Sequence, residues 1–156
     1  MTYQQAILPL IEDAYKNLFG NADALAGKLD YKASETTRTP LELVVECVQS
    51  PKMFIEVFRA GRMPEDVNAE YEKSIEDAKR LTDVAACRAE YESYKADLFE
   101  AITSFPEARL AEDIETPWGT FPWRDLIAYL YWNPMWHAGQ LSYIQTIHGD
   151  TEMHGQ

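Results

Sequence analysis

Apolar residues recur along this chain at the three- and four-residue spacing of helices, and nowhere alternate with polar ones over a run long enough to require a sheet. Ile7, Leu10, Ile11, Ala14 and Leu18 form the first stripe, which Gly20 is expected to close as a C-terminal cap. Pro9 marks either a kink or the true start of this helix. Residues 21–28 predict a short additional helix, and residues 30–38 a surface connection. The second long helix opens on Thr39, a suitable N-cap. Pro40 takes the first helical position and Glu42 sits three residues past Thr39, the spacing of a capping box. Leu43, Cys47, Ser50, Phe54 and Val57 follow on one face; Pro51 predicts a kink and Gly61 ends the run.

Residues 64–81 are acidic and only weakly amphipathic. Thr82-Asp83 starts a strong helix through Val84, Cys87, Tyr91, Leu98 and Ile102, which Phe105-Pro106 stops. Residues 107–122 are expected to be irregular, with a turn-rich segment from Thr116 to Pro122. The last helix is predicted from about Trp123 to His148, stopping at Gly149. The pattern predicts an all-α fold with four principal helices packed as an antiparallel-type bundle, the second and last of them kinked. One domain is expected over residues 1–150, followed by a short tail over 151–156.

Charge narrows the function classes. With 14 Lys+Arg against 26 Asp+Glu the net charge is −12, which argues against nucleic-acid binding and against recruitment to an anionic membrane. Between Asp125 and Asp150 there is no Asp, Glu, Lys or Arg, yet Asn133, Pro134, His137, Gln140, Ser142, Gln145 and Thr146 make this stretch too polar for lipid. It predicts the most buried helix of a bundle. The N-terminus lacks a basic segment followed by an apolar run, so a cytoplasmic location is expected. Cys47 and Cys87 read as small buried thiols. The chain carries no Ser-His-Asp arrangement, CxxC pair, phosphate-binding glycine loop or nucleotide fingerprint.

The candidate chemistry lies in the last helix. Asn133 and His137 are four residues apart, so both point to the same side, and both fall within the apolar stripe of Leu126, Leu130, Leu141 and Ile144. A polar pair at inward positions needs hydrogen-bond partners or a ligand. Pro134, between them, removes an amide from the helix ladder and can re-aim Asn133. Glu46 borders the stripe of the second helix. It reads either as a boundary carboxylate reaching solvent or as the partner of His137. Glu46, Asn133 and His137 could converge on a divalent cation or form a closed hydrogen-bond network. Trp132, Trp136, Gln140 and Tyr143 are candidate pocket-lining residues, with plain core packing as the other reading of the aromatic ones.

The segment His137-Ala138-Gly139-Gln140-Leu141-Ser142-Tyr143-Ile144-Gln145-Thr146, followed by Gly149-Asp150, resembles the C-terminal signature of the DinB/YfiT-like metalloenzyme superfamily. The Thr39-Pro40-Leu41-Glu42-Leu43 opening of the second helix does so too. The resemblance implies a four-helix bundle that holds a divalent metal, zinc or nickel, through three histidines, and in some members a thiol S-transferase activity. Carried over, the implied ligand positions fall on Glu46, Asn133 and His137, so two of the three histidines are replaced. His137 would then be the catalytic residue, lowering the pKa of an incoming small thiol either directly or through the metal. The alternative is a non-catalytic bundle that binds a small ligand or associates with itself. A homodimer is expected for such a fold, through a helix surface that the pattern does not identify.

Overall fold

Each long helix begins where its first free amides find a partner. At Thr39 the hydroxyl accepts from the backbone N–H of Glu42 at 3.1 Å, and the Glu42 carboxylate accepts from the Thr39 N–H at 2.6 Å. This starts α2 (Pro40–Ala60), which Gly61 ends in the left-handed conformation at φ 64°. Thr2 and Gln5 form the same reciprocal cap for α1 (Tyr3–Ala24). Asp66 and Asp83 cap α3 (Val67–Ala78) and α4 (Val84–Ser104) by accepting from Ala69 and Ala86. Replacing Thr39 by Ala is expected to cost about 1 kcal/mol, read as a lower urea midpoint. An unchanged midpoint would show that packing alone starts α2.

The computed structural model describes residues 1–155. After α4 come a short 3-10 turn (Glu107–Arg109), two antiparallel strands β1 (Asp113–Thr116) and β2 (Gly119–Pro122), and α5 (Trp123–Ile147). The chain is mostly helical and belongs to the all-α class. The hairpin corrects the expectation of an irregular segment. Its strands have four residues each and are largely exposed on both faces, with Ile114 alone deeply buried, so no apolar–polar alternation announces them. The hairpin root also starts α5, which has no side-chain cap: the amides of Trp123 and Arg124 donate to the carbonyls of Glu112 and Leu110, both at 3.0 Å.

Side-chain contacts give the direction of each helix. Tyr3 donates to the Arg124 carbonyl and Gln145 to the Asn21 carbonyl, so α1 and α5 run parallel. Lys52 pairs with Glu90 and Arg59 with Glu100, so α2 and α4 also run parallel. Glu46 meets His137 and Phe54 meets Tyr129, which sets α2 antiparallel to α5. The order up, down, down, up replaces the expected antiparallel arrangement for these two pairs. It requires the chain to climb back along α2, whose 21 residues span about 32 Å, before α4 can start. The acidic segment that holds α3 makes this return, and no residue of α3 is buried.

The α1 helix packs on α5 and α4, and α2 on the same two, which leaves α4 and α5 diagonal to each other. Ile11, Leu18, Val44, Leu98, Ile102, Ile127, Leu130 and Leu141 fill the centre. Pro51 does not end α2. Lacking an N–H, it leaves the Cys47 carbonyl without its helical partner, and the buried Tyr15 hydroxyl donates to that oxygen at 2.6 Å. Gly20 does not end α1 either, since the helix continues to Ala24 in place of a separate helix there. A side chain at Gly20 would collide with Gly155, where the C-terminal tail crosses α1. Among the described residues no helix is long and apolar enough to cross a membrane.

Candidate functional site

On α5 the positions Leu130, Asn133, His137 and Leu141 turn inward together, and each is at most 5% exposed. His137 meets α2 there: its Nε2 lies 3.3 Å from Glu46 Oε1. The other Glu46 oxygen, Oε2, pairs with the guanidinium of Arg38, one residue before the cap of α2. The other ring nitrogen, Nδ1, lies 2.6 Å from Gln140 Oε1, one helical turn ahead. A carboxylate can only accept, whereas the Gln140 amide can turn to accept or donate. The neutral ring can donate through only one nitrogen, from Nε2 to Glu46 or from Nδ1 to the Gln140 oxygen, whereas the protonated ring donates to both. Burial pushes the imidazole below the ordinary histidine range; the hydrogen bond to Gln140 opposes this, and the positive charge of Arg38 adds to it.

Asn133 is not part of this group. Its Nδ2 points to Cys47 Sγ at 3.8 Å, a weak contact to a fully buried thiol. Burial pushes the Cys47 thiol far up, and the Cys87 thiol up to about 11, so neither is a thiolate near neutral pH. Of the three positions that the family resemblance implied as ligands, the structure brings together Glu46 and His137 and turns Asn133 away.

These residues do not fit a metal of the implied kind. The described residues contain no group of three or more His, Cys, Asp or Glu side chains able to hold an ion. The carboxylate that would accompany His137 is already paired with Arg38, which sets a positive charge beside the place a cation would take. The amide of Asn133, the third implied donor, faces sulfur through its NH₂.

The aromatic residues expected to line a pocket lie at the surface. Trp132 and Trp136 are 51% and 55% exposed and Tyr143 69%, all on the outer side of α5. Each sits one or two residues from an inward position, about 100° to 200° around a helix of 3.6 residues per turn. Gln140 is exposed and bonds the His137 ring in place of lining a cavity. Two cavities, of about 530 and 370 Å³, open beside α2 at Lys52 and Met53 and at Phe58 and Arg109. Neither wall includes Glu46, Asn133 or His137.

Two members of the network take roles that the sequence pattern did not assign to them. Gln140 stands three residues after His137 and was legible as a helical neighbour of the ring. Arg38 lies outside the helix, in a connection where no period applies, and only the fold brings it over Glu46. Of the remaining histidines, His148 caps α5 and packs edge-on against Tyr31, and His154 pairs with Asp150 at 2.8 Å. Comparison of the chain with models of protein families, with curated proteins and with solved structures finds no match in any of the three.

Proposed function

We propose that this chain is a four-helix bundle of the DinB/YfiT-like type, kinked in its second and last long helices, that has given up the metal centre and serves as a non-catalytic binding module. One observation carries the reading: both nitrogens of His137 and both carboxylate oxygens of Glu46 are engaged within the protein, by Gln140, Arg38 and each other. A catalytic imidazole needs a free nitrogen toward its substrate, and a metal ligand needs a free lone pair. Both ring nitrogens of His137 are occupied, and Arg38 sets its positive charge on Glu46. The same reading sets the protein in the cytoplasm, where the unpaired thiols of Cys47 and Cys87 stay reduced.

A second reading draws on Arg38, whose half-exposed guanidinium is a natural contact for a small anionic thiol. In it the thiol displaces Glu46, its proton passes to the Nε2 lone pair of a His137 ring that carries its own proton on Nδ1, and the thiolate attacks an electrophile whose leaving group departs with that proton. The two readings separate in one assay. Protein purified without an affinity tag is titrated with zinc and nickel, and thiol conjugation to a generic electrophile is followed for wild type and His137→Ala. The non-catalytic reading expects no stoichiometric metal and equal conjugation rates. Metal bound one to one and lost with His137→Ala, or a conjugation rate that falls in that variant, would overturn it.

A further inference from the structure

We infer that the outer face of α5 is the surface through which two copies of this chain associate, antiparallel, about a two-fold axis beside Gly139 and Gln140. Trp132, Trp136, Tyr143 and Ile147 are each 46% exposed or more, and their spacing sets them on one stripe of α5. The stripe is symmetric about the midpoint of Gly139 and Gln140. An antiparallel copy centred there sets Trp132 against Ile147 of the second copy and Trp136 against Tyr143. Any other centre leaves at least one ring of the stripe without an apolar partner.

Gly139 supports the same axis. A glycine inside a helix costs about 0.5–1 kcal/mol relative to alanine. A Cβ at Gly139 would meet nothing within 4 Å, so no packing inside the chain requires its absence. At the centre of a crossing between two copies, it lets the backbones approach.

Charge selects the face. Each copy carries −12, and like copies repel. Residues 65–100, which include α3 and most of α4, hold 11 acids and 5 bases. The α4 helix is diagonal to α5, so contact through α5 keeps this acidic side farthest from the second copy. The α5 helix itself holds no Asp, Glu, Lys or Arg after Asp125. Three aromatic side chains of roughly 150–250 Å² each, half to two-thirds exposed, offer about 300 Å² per copy before Ile147 and the flanks are added. That lies below the roughly 800 Å² per partner of a standard interface, so the dimer is reversible and concentration-dependent.

The inference stands on the outer surface of α5 and does not depend on the state of His137. Sedimentation equilibrium of the full chain should show a monomer–dimer equilibrium that Trp136→Glu shifts to monomer, with helix content and melting retained. Trp118→Glu, at an exposed ring on the hairpin, should leave it unchanged. Under mild oxidation Gly139→Cys, beside the axis, should give a disulfide-linked dimer and Ile147→Cys should not. A wild type that stays monomeric at all concentrations would overturn the inference, as would a dimer that survives Trp136→Glu or cross-links through Ile147→Cys. A monomer that partitions onto zwitterionic vesicles would assign the face to lipid instead. Neither the metal titration nor the conjugation assay above moves these outcomes.

Discussion

Replacing Trp123 by alanine should lower stability by about 3–5 kcal/mol, the cost of truncating a fully buried indole. Trp123 is 1% exposed and opens α5 where three elements meet. Its ring lies 4.6 Å from Phe105, at the end of α4, and 6.2 Å from Phe58 of α2, while the Arg109 guanidinium covers it at 5.4 Å. Its amide is also one of the two that hold the hairpin root to the helix start. No nearby side chain can collapse into the space, because the neighbouring rings are themselves held between helices. Domains of this size are stable by about 5–15 kcal/mol, so the loss is a large share of the total. Urea unfolding should show a sharply lower midpoint with an unchanged slope. Trp118→Ala, at a 60% exposed ring of the same hairpin, should change the midpoint little. Equal small effects in both variants would mean that this end of the protein is not part of the cooperative core.

Removing the His137 ring should cost about 1–3 kcal/mol at neutral pH, since it strips Glu46 and Gln140 of a buried partner. Its pH dependence is more diagnostic than its size. Because burial lowers the folded pKa of His137 below the ordinary 6.5, the unfolded chain binds its proton more readily than the folded protein does. The contribution of His137 is therefore complete above pH 6.5 and is lost as pH falls from there through the lowered folded value. The charged groups that face the ring are Glu46 and Arg38. Wild type should lose stability on mild acidification, and His137→Gln should remove that part of the slope. A variant that keeps the full slope would assign it to other groups, and a wild type that gains stability would show that Glu46 outweighs burial.

The helix starts were legible in the chain because capping is local chemistry: Thr39 with Glu42, and Asp83 with Ala86, act over three residues. The inward turn of Asn133 and His137 was legible for the same reason, being a matter of period within one helix. Gly20 misled because a glycine that ends a helix and one that admits a crossing tail look alike in sequence. The candidate site was legible only in part. Glu46 as the partner of His137 was one of two readings of its place beside the α2 stripe, while Arg38 over Glu46 and Asn133 turned to Cys47 depend on how α2 settles against α5.

By itself the chain determined where α2, α4 and α5 begin and end, which residues of each long helix form a stripe, and that a polar pair is set among apolar neighbours. These properties are carried by contacts of three or four residues. Only the tertiary structure decided that α1 and α5 run parallel, that a hairpin starts α5, and that Trp132, Trp136 and Tyr143 face solvent. The period of α5 marks its inward stripe, but aromatic residues on its other sides carry no mark of whether a neighbour covers them. Which side becomes core depends on the neighbours that bury it, and here α1 and α2 cover the side of Asn133 and His137 and leave the tryptophans outside.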